Sequence, residues 1–167
     1  MAEITKVYKQ SIPATRFIGK KYGDDDRVNG MFGHLWEEWW TADYWQTIKA
    51  NVDGELADYF ENGDATIGLM TCENGSFQYW IGFYTPANTP VPDGFQSIDF
   101  PAKNLGVAWV TGQEPDIYMK EELCAQHLAE AGIIINDNWC FERYVEDHFD
   151  KPDENGNITL DICYFVE

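Results

Sequence analysis

The amino-acid sequence predicts an α+β fold in which two β-α-β-β units form an antiparallel sheet with two main helices. Two observations support this prediction. The order strand, helix, strand, strand occurs twice along the chain, and the opening extended stretch of each copy contains an apolar residue followed by Pro-Ala. Pro13 and Pro101 occupy this position in the two copies, about 88 residues apart, a period too long for a solenoid and typical of a duplicated unit.

The first copy begins with an extended stretch over residues 4–22, which is rich in β-branched and aromatic residues and is interrupted by Pro13. An amphipathic helix is predicted next, because apolar side chains recur at spacings of three and four. These side chains are Phe32, Leu35, Trp36, Trp39 and Trp40. Thr41 and Asp43 are predicted to cap a second short helix that ends near Ile48, since their oxygens can accept from free N–H groups.

Two strands close the first copy. They are ATIGLMTCE at 65–73 and FQYWIGFYT at 77–85, and Asn74-Gly75 between them suits a tight hairpin because both residues tolerate positive φ. The loop PANTPVPDG at 86–94 then carries three prolines and connects the two copies.

The second copy opens with an extended stretch over 95–112. Pro115 is predicted to be the first residue of a helix that stops at Gly132. One side of that helix carries Ile117, Cys124, Leu128 and Ala131. Strands are predicted at 139–146 and 157–166. The chain is therefore expected to be one domain, 1–167, with repeats at about 4–86 and 95–166 and a central groove between them.

Composition and charge limit the functions open to the chain. There are 29 acidic and 11 basic residues, which gives a formal charge of −18. This charge argues against binding of nucleic acid and favours cationic molecules as ligands. Aromatic residues make up 16% of the chain, which indicates either a bulky core or a surface that binds flat ligands.

No apolar run reaches membrane-spanning length and the N-terminus has no apolar signal region, so we expect a cytoplasmic protein. The thiols and imidazoles are scattered without CxxC or HExxH spacing, which predicts reduced cysteines, no metal site and no cofactor. They are Cys72, Cys124, Cys140, Cys163, His34, His127 and His148.

The segment DNWCFERYVED, residues 137–147, places a carboxylate in an aromatic strand. Alternation puts Cys140, Glu142 and Tyr144 on one face and Arg143 on the other, so Arg143 should not neutralise Glu142. Glu142 either lines a ligand pocket or is an ordinary residue that faces solvent or forms a salt bridge.

Four segments together resemble the GyrI-like family, also called AraC-type or multidrug-regulator effector-binding domains. They are IPATRFIG, FQYWIGFY, PDGFQSIDFPAKNLGVAWVTG and CFERY, in this order. The resemblance spans nearly the whole chain and implies an SHS2-type duplicated β-α-β-β fold with a central pocket lined by aromatic residues. It also implies that the glutamate of the CFERY strand, here Glu142, reaches into that pocket.

The candidate ligand-binding residues combine this glutamate with nearby rings. They are Trp36, Trp39, Trp40, Tyr79, Trp109, Glu142, Tyr144 and Tyr164. For each tryptophan of the first helix, core packing is an equal alternative. A core role is favoured for Tyr164, which shares a strand face with Leu160 and Ile162.

Three functions remain open. The preferred one is a stand-alone module, without a helix-turn-helix segment, that binds hydrophobic, aromatic and often cationic small molecules. The alternative, implied by one subgroup of the family, is hydrolysis of cyclopropane-bearing alkylating compounds with Glu142 as general base. A third is a protein partner contacted through the acidic surface, as in relatives named for gyrase inhibition.

Overall fold

The computed structural model describes residues 1–167, and the chain divides into two compact units. Met1–Pro13 and Ala102–Glu167 form the first, which we call the terminal unit. Ala14–Pro101 form the second, the middle unit. Every strand pairs antiparallel to its neighbours within its unit, which confirms the predicted α+β class with antiparallel strands.

The middle unit contains four strands in the order β3-β4-β2-β5 and two α-helices. The strands are β2 (Thr15–Gly23), β3 (Thr66–Glu73), β4 (Ser76–Pro86) and β5 (Gln96–Phe100). The helices are α1 (Gly33–Thr41) and α2 (Tyr44–Lys49). Both helices pack on the face of β4 that carries Tyr79 and Phe83, because Phe32 stacks on Tyr79 and Trp45 contacts Phe83.

The terminal unit contains four strands in the order β1-β6-β8-β7, one α-helix and a π-helical turn. The strands are β1 (Glu3–Ile12), β6 (Lys103–Gly112), β7 (Ile135–Tyr144) and β8 (Ile158–Val166). The helix is α3 (Glu121–Glu130), and the π-helical turn is Glu146–Asp150. Cys124 of α3 packs in one buried cluster with Val110 of β6 and Ile162 of β8.

Each unit takes its edge strand from the start of the other sequence copy. β1 ends two residues before β2 begins, yet it pairs with β6. Likewise, β5 ends just before β6 and pairs with β2. The chain therefore passes from one unit to the other at the two Pro-Ala dipeptides, Pro13-Ala14 and Pro101-Ala102. The superposition of repeats 4–86 and 95–166 stays a prediction.

One predicted helix start and one predicted helix cap are wrong. Helix α3 begins at Glu121 and not at Pro115, because Met119 adopts a left-handed φ of 59° that an α-helix cannot contain. Asp43 precedes α2 but makes no side-chain capping bond, and the Thr41 hydroxyl donates back to the carbonyl of Glu37 within α1. The predicted stop at Gly132 is confirmed, with φ +77°.

The strand predicted at 139–146 ends earlier, at Tyr144, and begins earlier, at Ile135. Glu146 therefore does not share a strand face with Glu142; it lies exposed in the π-helical turn, 3.5 Å from Lys151. No helix of the chain combines the length and the apolar character needed to cross a membrane.

A buried ion pair lies on the face of the terminal sheet opposite α3. Asp161 alternates with Leu160 and Ile162, which pack against α3, so its side chain projects to the other face. Arg143, its cross-strand partner on β7, reaches Asp161 Oδ2 with Nε at 2.9 Å and Nη2 at 2.8 Å. His148 Nε2 lies 2.7 Å from Asp161 Oδ1. The Asp161 carboxylate thus joins β7, β8 and the π-helical turn.

We expect Asp161→Asn to destabilise the fold strongly, by about 3–5 kcal/mol, because it leaves the buried Arg143 charge without a counter-ion. Urea unfolding followed by circular dichroism measures the loss. Asp99→Asn is the matched control, since its bridge to Arg16 is exposed and should contribute little. Equal stability of the two variants would show that the buried pair does not hold the terminal sheet together.

Candidate functional site

Glu142 lies on the α3 face of the terminal sheet, as strand alternation predicts. It is half-buried on β7, next to Cys140 and Tyr144 on the same face. Ile162 is its cross-strand partner on β8, and Tyr164 is the partner of Cys140. The charge of Glu142 also acts on Tyr118. We call the polar side chains of this group the Glu142 face: Tyr118, Cys140, Glu142, Tyr144 and Tyr164.

Tyr144 holds the carboxylate in place. Its hydroxyl donates to Glu142 Oε2 at 2.6 Å, a short, charge-assisted hydrogen bond. The Tyr144 ring is itself fixed by an edge-on contact with Phe149, whose ring centroid is 4.7 Å away at 87°. The carboxylate is therefore oriented before any ligand arrives.

The other two tyrosines of the Glu142 face lie in a negative environment. Burial, the hydrogen bond to Glu114 and the charges of Glu114 and Glu142 all raise the pKa of Tyr118. Burial also raises the pKa of Tyr164, whose hydroxyl donates to the backbone carbonyl of Glu121 at 2.7 Å. Both phenols stay protonated at neutral pH. The charge of Glu142 acts on Tyr118, and that of Glu121 acts on Tyr164.

Arg143 lies on the opposite face, as the alternation predicts, and there it donates to Asp161. Trp109 lies on that face too, because it is the cross-strand partner of Asp161. Its ring contacts His148 at 4.9 Å and Tyr8 at 6.3 Å between centroids. The structure therefore does not bring Trp109 together with Glu142 within the terminal unit, although both are predicted ligand-binding residues.

The remaining predicted residues belong to the middle unit. Trp36 donates its indole N–H to the Tyr79 hydroxyl at 3.1 Å. Trp39 is fully buried and donates to the Tyr22 hydroxyl at 3.0 Å, whereas Trp40 is 60% exposed. Core packing thus describes Trp39, whereas Trp36 is partly exposed and Trp40 is the most exposed of the three.

Trp45 is the aromatic residue that the sequence pattern missed. It lies on α2, and its ring contacts those of Trp36, Trp39 and Trp40 at 6.1, 4.5 and 5.2 Å. We call these four residues the tryptophan cluster. The sequence contained a usable signal, because Trp45 follows the α1 stripe by a spacing of five and belongs to the same aromatic segment.

The thiols do not provide a nucleophile on the Glu142 face. Burial, helped by the charges of Glu121 and Glu142, raises the pKa of Cys140 to about 12. Burial likewise raises the pKa of Cys124 and of Cys163 to about 12. Cys72 is the exposed thiol. Nowhere do three His, Cys, Asp or Glu side chains come together so that they could hold a metal ion.

Comparison with known proteins identifies a family. The model of the integron-associated effector binding protein family matches residues 3–164 of the chain. Among proteins with curated descriptions, none matches the chain in sequence.

Solved structures share the fold at low sequence identity. SAV2435 bound to tetraphenylphosphonium has a TM-score of 0.66 at 15% identity, covering 98% of this chain and 94% of that chain. An integron cassette protein from the mobile metagenome of Vibrio cholerae has a TM-score of 0.54 at 12% identity, covering 99% of each chain. A hydrolase from Listeria innocua has a TM-score of 0.51 at 9% identity, covering 97% and 92%.

Alkylation of the native protein should separate the thiols. At pH 8, iodoacetamide is expected to modify Cys72 quickly, because it is exposed, and Cys140 far more slowly, because only a small fraction of a thiol with a pKa of about 12 is thiolate at that pH. Peptide mass spectrometry gives the two rates, and Cys72→Ser should remove the fast phase. Alkylation of Cys140 as fast as Cys72 would contradict the protonated state of this partly buried thiol.

Proposed function

We propose that this chain, which belongs to the family of integron-associated effector binding proteins, binds hydrophobic aromatic cations through Glu142. Membership of an effector-binding family indicates that the chain binds a small molecule. The ligand class and the residue are our proposal, and the observation that carries it is the half-buried Glu142 carboxylate, oriented by the Tyr144 hydroxyl at 2.6 Å.

The charge and surroundings of Glu142 favour this ligand class. A carboxylate that is partly withdrawn from water attracts a cation more strongly than an exposed one, because the local dielectric is lower. A lipophilic cation with delocalised charge loses little hydration on entering such a site, and tyrosine rings add cation–π and packing contacts. The formal charge of −18 would also draw cations towards the protein.

Tetraphenylphosphonium is the natural first probe, because SAV2435 shares the fold and was solved with this cation bound. It combines four phenyl groups with one buried positive charge. Tetraphenylborate has nearly the same shape and the opposite charge, so the pair isolates the electrostatic contribution to binding.

Hydrolysis is a second candidate function, favoured by the Glu142–Tyr144 hydrogen bond. A half-buried carboxylate can accept a proton from water, and a phenol at hydrogen-bond distance can orient that carboxylate or donate to a leaving group. The substrate class would be cyclopropane-bearing electrophiles, as the resemblance to the hydrolase subgroup implies. The likeness to the Listeria innocua hydrolase extends to the fold alone.

Glu142→Gln should weaken tetraphenylphosphonium binding while the fold persists. The substitution keeps the shape of the side chain and an oxygen for the Tyr144 hydroxyl but removes the charge. Tetraphenylphosphonium has no hydrogen-bond donor, so Glu142 acts on it through Coulomb attraction, which amounts to about 1–3 kcal/mol for charges about 6 Å apart at a partly buried site. We therefore expect a loss of roughly 5- to 150-fold in affinity. Isothermal titration calorimetry of wild type and variant measures it, and tetraphenylborate should bind the wild type more weakly than the cation.

Glu146→Gln is the matched control for that experiment. It removes the same charge four residues away, at an exposed position in the π-helical turn. Its affinity for tetraphenylphosphonium should stay within about twofold of wild type, since exposed charges are screened by solvent and salt. If Glu142→Gln and Glu146→Gln weaken binding equally, net charge and not the Glu142 face accounts for the preference for cations.

The hydrolase candidate makes a different prediction for the same variant. If Glu142 is a general base, Glu142→Gln should retain substrate affinity and lose turnover by roughly 10²–10⁴-fold. Chromatography that follows consumption of an alkylating cyclopropane compound gives the rate. If the wild type does not consume the compound, hydrolysis is excluded for that substrate class.

A further inference from the structure

The indole N–H of Trp45 is buried inside the tryptophan cluster without a hydrogen-bond partner. Trp45 is 5% exposed, and its Nε1 atom is buried and has no hydrogen-bond partner. The neighbouring indoles of Trp36 and Trp39 both donate to tyrosine hydroxyls. A buried donor left without an acceptor costs stability, so such a group calls for an explanation.

The ring of Trp45 contacts other aromatic rings, one of which, that of Trp40, is exposed to solvent. The ring of Phe83 lies 4.8 Å away and that of Trp39 lies 4.5 Å away, and both belong to the core. Trp40 covers Trp45 at 5.2 Å and is itself 60% exposed. Trp40 lies in the last turn of α1 and is the most exposed of the rings that contact Trp45.

We propose that Trp45 Nε1 donates a hydrogen bond to a planar aromatic compound that carries a neutral oxygen acceptor, such as a ring ketone. The ring faces of Trp40 and Trp45 suit stacking on a flat molecule. A neutral carbonyl matches a single uncharged donor among apolar rings, whereas a carboxylate would lose its hydration there without sufficient compensation.

This inference rests on the proposed function only in assuming that the chain binds small aromatic molecules. The Glu142 face belongs to the terminal unit and selects positive charge. The Trp45 site belongs to the middle unit and selects an acceptor atom in an uncharged compound. The two selections can therefore be measured independently with different probes.

The test compares 9-fluorenone with fluorene, two planar compounds of the same size that differ in one carbonyl oxygen. Equilibrium dialysis measures both, and we expect wild type to bind fluorenone about three- to tenfold more tightly, the value of one neutral hydrogen bond. Trp45→Phe keeps a ring and removes the donor, so it should abolish this preference. Trp139→Phe, a substitution in the terminal unit, is the control for loss of a tryptophan and should retain it.

A second readout needs no variant of Trp45. In ¹⁵N-labelled wild type, the indole N–H signal of Trp45 should move downfield with fluorenone and stay nearly unshifted with fluorene, as expected for a new hydrogen bond. Equal affinity for the two compounds, or a Trp45 signal that responds alike to both, would overturn the inference and indicate that the N–H rests on a neighbouring ring face.

The outcomes separate the two proposals. Wild type that binds tetraphenylphosphonium with a Glu142-dependent affinity but does not distinguish fluorenone from fluorene retains the proposed function and overturns the Trp45 site. Wild type that prefers fluorenone through Trp45 but shows no Glu142-dependent binding of the cation supports the Trp45 site and refutes the proposed ligand class.

Discussion

The buried ion pair between Arg143 and Asp161 fixes the register in which β7 presents Glu142. Pairing of β7 with β8 is irregular between Ile135 and Cys140, and regular pairing covers only Cys140 to Arg143. A slip of one residue in so short a ladder would turn Glu142 to the opposite face. It would also place the Arg143 charge among the apolar side chains that pack on α3, and the cost of that placement excludes the slipped register. We interpret the pair as a register lock for the Glu142 face.

Some of the many aromatic residues pack in the core, and some contact positively charged side chains. Five of the 11 basic residues lie over aromatic rings. They are Lys6, Lys20, Arg27, Lys49 and Lys103. The rings of this protein therefore already accept cations from within the chain, and a bound aromatic cation at the Glu142 face would use the same physical interaction. The large surplus of carboxylates leaves the chain with few internal cations to satisfy them.

Local periodicity predicted what depends on local geometry. The alternation around Glu142 correctly placed it on the face opposite Arg143. The helical spacing of apolar residues correctly located α1, and Leu35 and Trp39 from that pattern are its buried side chains. The start of α3 could not be read in this way, because the left-handed residue that delays it is Met119 and not a glycine or asparagine.

The pairing of strands that are distant in the sequence could not be predicted from the sequence pattern. The position of Trp109 follows from its pairing with Asp161, and no local feature of β6 reveals which face of the sheet will carry a buried ion pair. The exchange of β1 and β5 between units was equally hidden, since each strand could have paired with the strand that follows it. Trp45 was missed because its cluster forms through the turn between α1 and α2, where the helical period is interrupted.

The most direct test of the central claim is a crystal structure of the protein with tetraphenylarsonium, the arsenic analogue of tetraphenylphosphonium. The anomalous signal of arsenic locates the positive charge without assumptions about the shape of the ligand. The account predicts a single main peak on the α3 face of the terminal sheet, nearer to the Glu142 carboxylate than to any other carboxylate. A main peak on the face of Trp109 and His148, or beside an exposed acidic loop, would contradict it.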